Sequence, residues 1–132
     1  MKRYFYILTT GVILLALQGC KNTKDVEAEL HKADVYMDEH PELALEALEA
    51  IDTGVLTTRE TQAKYALLYS MALDKNYIDL TTDSIIAPAV AYFRRHGSAD
   101  ERMKTQYYLG RIHINAGDHD AAMEAYVRAE RH

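Results

Sequence analysis

The sequence predicts an all-α domain of antiparallel helix hairpins, about six helices in all, behind an N-terminal secretory segment. Three observations predict it. Strong helix formers (Ala, Leu, Glu, Lys) dominate, runs of β-branched residues are short, and Pro41 and Pro88 are the only prolines. Apolar residues recur three and four positions apart, the period of a helix with one buried face. Hydroxyl residues followed three positions later by Glu, Thr57 with Glu60 and Ser98 with Glu101, mark helix starts.

The chain opens with Lys2 and Arg3, an apolar run from Tyr4 to Leu17, and then Leu17-Gln18-Gly19-Cys20. A charged start, a short apolar stretch and a small residue before a cut are the order of a secretory signal. A bilayer core needs about 20 apolar residues in a helix, and this run is too short for a permanent span. Leu17, Gly19 and Cys20 resemble the lipobox of bacterial lipoproteins, from which Gln18 departs at the middle position. The resemblance implies a signal peptide over residues 1–19, cleavage before Cys20, and a diacylglyceryl thioether on Cys20, usually with an acylated amine. Two or more acyl chains hold a protein stably on a membrane. Residues 20–24 then form the lipidated Cys and a polar tether, and residues 25–132 the helical domain. No acidic residue follows Cys20 directly, which in that family leans towards the outer membrane, facing the periplasm. The plainer alternative is an ordinary cleaved signal or a short anchor with Cys20 as a small hydrophobe.

Val26, Leu30, Ala33 and Met37 carry the first helix, and His40-Pro41 ends it while presetting the first turn of the next. The second buries Leu43, Ala44, Ala47, Leu48 and Ile51 and stops at Asp52-Thr53-Gly54. Thr57 and Glu60 open a third helix reaching about Leu73, followed by a polar loop from Asp74 to Thr82. The fourth spans about Ser84 to Arg95, with Pro88 at its first bonded position or bending it, and Gly97 ends it. Ser98 and Glu101 open a fifth through Ala116, with Tyr108, Leu109, Ile112 and Ala116 inward. Gly117-Asp118 turns the chain into the last.

The last helix repeats the second. Ala121, Ala122, Ala125, Tyr126 and Ala129 have the spacing of Leu43, Ala44, Ala47, Leu48 and Ile51. At these residues the chain resembles the tetratricopeptide repeat (TPR) family, whose motif sets Leu-Gly in the first helix of each pair and small, aromatic and small residues in the second. Leu109-Gly110, Ala122, Tyr126 and Ala129 fall in that register. The first unit has His31-Lys32 where Leu-Gly belongs, and the middle one, matching through Leu68, Ala89 and Phe93, carries about eight extra residues between its helices. The resemblance implies a short TPR-like solenoid.

With Lys2 and Arg3 removed by cleavage, 13 of the 15 basic side chains face all 20 acidic ones, a formal charge of −7. Such a surface disfavours nucleic acid and anionic lipid. No phosphate loop, zinc-protease helix, Cys pair or nucleophile elbow is present, so no catalytic residue and no cofactor is expected. His113 with Asp118, His119 and Asp120 is the best metal cluster, but a helix cap at Asp118 explains it better. Glu42, Glu46 and Glu49 form a solvated stripe rather than an acid and base pair.

The TPR register implies a concave face lined from the first helices, which in the last unit selects Lys104, Tyr107, Arg111 and Asn115 as candidate partner-binding residues. A solvated face with Tyr107 half packed is the competing reading. On the last helix, Met123 and Val127 lie where another unit would pack, an edge expected to meet a second copy or a partner unless this chain is shorter than its relatives. The expected function is a lipid-anchored scaffold binding an envelope protein or peptide, not an enzyme. The alternative is a module for a small ligand, glycan or metal.

Overall fold

The computed structural model describes residues 23–132. Cys20, the signal peptide and the start of the tether lie outside them. Six α-helices account for the architecture, with no strand among the described residues: α1 (Thr23–Tyr36), α2 (Pro41–Glu49), α3 (Arg59–Lys75), α4 (Ala87–Phe93), α5 (Ala99–Asn115) and α6 (His119–Glu130). They pair as α1 with α2, α3 with α4, and α5 with α6. Each hairpin packs on the next, because α3 lies against both α1 and α2, and α5 against both α3 and α4. The first helices of the hairpins therefore form a row. No helix among the described residues is long and apolar enough to cross a membrane.

The chemistry of the helix ends accounts for most boundaries. Pro41 stands in the first turn of α2, where its missing N–H would have had no partner anyway. Ser98 and Glu101 form the expected reciprocal cap: Glu101 N–H donates to Ser98 Oγ and Ser98 N–H to Glu101 Oε1, both at 3.1 Å. Asp118 caps α6 through Ala121 N–H at 3.0 Å.

The cap of α3 sits one residue later than the sequence suggests. Thr58, not Thr57, accepts from Thr61 N–H at 3.1 Å, and Thr61 Oγ1 answers the Thr58 amide. The Thr61 side chain is buried, so its hydroxyl stays at the helix start, while Glu60 turns outward to Lys64, 2.9 Å away. Helix α3 also runs on to Lys75. In α4, Ser84–Ile86 form a turn rather than helix, Pro88 occupies the first turn, and the helix closes at Phe93, two residues short of Arg95.

Packing follows the apolar stripes. Val26, Leu30, Ala33 and Met37 of the first hairpin, with Ala44 and Leu48, join Ala63, Ala66, Leu67, Leu68, Met71 and Ala72 of α3 in one core. Helix α3 is buried on more of its circumference than any single stripe provides, as a helix flanked on both sides must be. Ser70 sits inside because its hydroxyl donates to Ala66 O at 2.8 Å. Two sequence expectations fail. Leu43 is 40% exposed, with Leu45 packed in its place, and Ala116 caps α5 in solvent rather than facing inward. Both lie at helix ends, where the neighbouring helix no longer covers the stripe.

The loop after α3 begins as a Schellman turn: Tyr77 N–H bonds Asp74 O at 3.0 Å and Ile78 N–H bonds Leu73 O at 2.9 Å. The residue in the left-handed position is Tyr77, with φ of 59°. A Cβ there costs about 1 to 2 kcal/mol, and the Tyr77 side chain, 93% exposed, makes no packing return. Tyr77→Gly is therefore expected to stabilise the fold by about 1 kcal/mol, read as a higher denaturant midpoint at unchanged slope. A lower midpoint would show that the exposed ring contributes contacts in solution.

Candidate functional site

The row of first helices encloses a groove of about 350 Å³ between α1, α3 and α5. Its floor is apolar: Leu30 from α1, and Leu67, Leu68 and Met71 from α3, all buried. Its walls are charged. Glu27, His31 and Asp34 line one side from α1, Lys64 stands on α3, and Asp100, Glu101 and Lys104 come from the start of α5.

This placement is a consequence of helical repetition. Positions 27, 30, 31 and 34 share one face of α1 because residues three and four apart are neighbours, and 64, 67, 68 and 71 do the same on α3. Both lysines are already committed. Lys64 lies 2.9 Å from Glu60, and Lys104 2.7 Å from Asp100, each one turn apart on its own helix. These hydrogen bonds raise both ammonium pKa values despite partial burial, with the carboxylates of Glu27 and Glu101 adding to Lys64 and those of Asp34 and Asp38 to Lys104. Glu101 is engaged in the α5 cap. Among the described residues, Glu27 and Asp34 make no ion pair.

The structure divides the stripe selected from sequence. Lys104 joins the groove. Tyr107 is 44% exposed, packed edge-on against Tyr108 at 5.1 Å and tilted on Tyr126 at 5.8 Å. Arg111 donates through Nε to Asp74 Oδ1 at 3.1 Å, and its Nη2 forms an ion pair with the same oxygen at 3.1 Å. Asn115 donates to Leu80 O at 3.1 Å. Arg111 and Asn115 thus hold the end of α3 and the long loop against α5. Asn76 does the same towards the first hairpin, donating to Pro41 O at 2.9 Å, and Lys75 meets Asp38 at 3.0 Å.

The groove residues of α1 carried no repeat signal: in the register that sets Leu109-Gly110 on His31-Lys32, Lys104 projects onto buried Val26 rather than onto Glu27, His31 or Asp34. The Met123 and Val127 edge is exposed, at 65% and 39%. Asp118 is engaged as a cap, as expected, and no group of three or more metal-ligating side chains comes together among the described residues.

Tyr108 lies under this region, 8% exposed. Burial, with the Asp74 carboxylate adding to it, pushes its phenol up to about 12. Folding favours the neutral phenol, so its contribution is whole below pH 10 and is lost as pH rises from the unfolded value of about 10 towards 12. The loss is on the order of 2 kcal/mol. A tyrosinate absorbance titration should show a late-titrating phenol that disappears in Tyr108→Phe, and that variant should resist alkaline unfolding better. A Tyr108→Phe variant with an unchanged titration curve would contradict this assignment.

Comparison with protein-family models, with curated proteins and with solved structures gave no match.

Proposed function

We propose that this chain is a lipid-anchored, TPR-like scaffold of the bacterial cell envelope that binds a protein or peptide and performs no catalysis. The observation that carries this reading is the groove along α1, α3 and α5. Three first helices in a row, with an apolar floor and charged walls, make an extended surface of the kind that stacked helix hairpins offer to a peptide.

The solenoid part of the reading is supported by the serial packing of the hairpins and by Gly110, whose α-carbon lies under the Tyr126 ring where α5 crosses α6. The anchor rests on the sequence around Cys20, and an outer-membrane, periplasm-facing position follows from the same motif. The groove also has the volume of a small-ligand pocket, which keeps a glycan or other small ligand as the alternative. Its open, charged walls favour the peptide.

A photoreactive amino acid at His31, on the groove wall, should give discrete protein adducts in intact cells, while one at exposed Glu46 on α2 should not. Adducts at neither position, with a sugar raising the melting temperature, would replace the scaffold by the small-ligand reading. Cys20→Ser should abolish fatty-acid labelling; labelling that persists would remove the anchor.

A further inference from the structure

We propose that the groove takes a cationic amphipathic segment of its partner, with two basic side chains about 10 Å apart seated on Glu27 and Asp34 and an apolar side chain between them over Leu67, Leu68 and Met71. This deepens the scaffold reading and rests on it. The sign comes from counting commitments within the groove. Four carboxylates and two ammonium groups line it. Both ammonium groups are bound to acids of their own helices, at 2.9 and 2.7 Å, and Glu101 is held by the Ser98 cap. The carboxylates of Glu27 and Asp34 are left facing the opening, both exposed and on one wall.

Their spacing sets the register. Seven residues at 1.5 Å each put the two acids about 10 Å apart along α1. A polyproline II segment rises about 3.1 Å per residue and returns to the same face every third residue, so Lys-x-x-Lys or Arg-x-x-Arg in that form sets both bases on one side about 9 Å apart, and a helix with bases seven apart does the same at about 10 Å. Acidic segments meet two unpaired carboxylates and no uncommitted ammonium, which is the repulsive half of the selectivity. The floor is already largely buried in the core, so it adds a contact without supplying most of the binding. Salt dependence should therefore be marked.

The test is fluorescence anisotropy on the full chain in detergent with three labelled peptides: one with Leu between lysines three apart, its twin with glutamates, and one with the lysines adjacent. The first is expected to bind at least tenfold more tightly than the second and several-fold more tightly than the third, and to weaken as salt rises. Glu27→Lys with Asp34→Lys should abolish this preference, and the milder Glu27→Gln with Asp34→Asn should reduce it about tenfold, with helical circular dichroism unchanged in each. Equal or better binding of the glutamate peptide, indifference to the substitutions, or no binding by any of the three would overturn the inference. A peptide that competes with crosslinking at His31 but shows no charge preference would overturn the charge assignment and leave the scaffold standing.

Discussion

Phe93→Ala is expected to lower stability by about 3 to 5 kcal/mol, the usual cost of truncating a buried aromatic. Phe93 is 3% exposed and closes α4, a helix of seven residues. A helix that short is not stable on its own propensity and exists through its packing. The ring also shapes the turn that follows. Gly97 adopts φ of 81°, and a Cβ there would lie 2.5 Å from Phe93 Cδ1, so the ring and the glycine are fitted to each other. Losing the ring removes the cover over the turn and the contact between the second hairpin and the rest of the core. Because small domains have only about 5 to 15 kcal/mol in total, the variant should be close to unfolding at ambient temperature. Urea denaturation followed by circular dichroism reads the effect. A cost below about 1 kcal/mol would mean that the second hairpin is held mainly by Ile86 and Ala89.

The elements were legible wherever a local rule and the tertiary packing agreed. Ser98 and Glu101 satisfied each other at the start of α5, and Pro41 began α2 in the place its ring prefers. The rules parted at Thr57. Two adjacent threonines offer the same hydroxyl, and the choice of Thr58 goes with the burial of Thr61, whose hydroxyl bonds back to Thr58, a tertiary outcome that no local spacing encodes. Ser84–Ile86 was misjudged for a related reason. Ile86 is fully buried, but as the last residue of a turn whose Asp83 carbonyl receives the Ala87 amide at 2.8 Å, not as part of a helical stripe.

The candidate site was legible in part. Helical spacing placed Lys104, Tyr107, Arg111 and Asn115 on one stripe, and they do share one, yet it crosses two environments. Its first turn borders the groove, and its last two turns face the end of α3 and the long loop after it, where Asp74 and Leu80 respectively take up Arg111 and Asn115. The extra residues of that loop were visible in the sequence. What they would cover was not, because a loop's docking position depends on partners far along the chain. Arg111 and Asn115 hold Asp74 and Leu80, 37 and 35 positions earlier.

Gly110→Ala is expected to destabilise the protein by about 1 to 2 kcal/mol, although the same change in an open helix stabilises by nearly 1 kcal/mol. Gly110 is buried on α5 at its crossing with α6. A Cβ there would stand 2.5 Å from Cε1, 2.7 Å from Cδ1 and 2.9 Å from Cζ of Tyr126. These are atoms of a rigid ring rather than the tip of a flexible chain, so the whole side chain must swing away or the helices must part. Swinging away also disturbs Tyr107, whose ring lies 5.8 Å from that of Tyr126. The overpacking therefore outweighs the gain in helix propensity. The sign should reverse once the ring is gone. In a Tyr126→Ala background the added methyl meets no ring, and Gly110→Ala should stabilise by up to about 1 kcal/mol, giving a coupling of about 2 to 3 kcal/mol between the two positions. Chemical denaturation of the four chains completes the cycle. Coupling near zero would mean that α5 and α6 do not cross with the glycine under the ring, and the TPR-like packing proposed for this hairpin would fall with it.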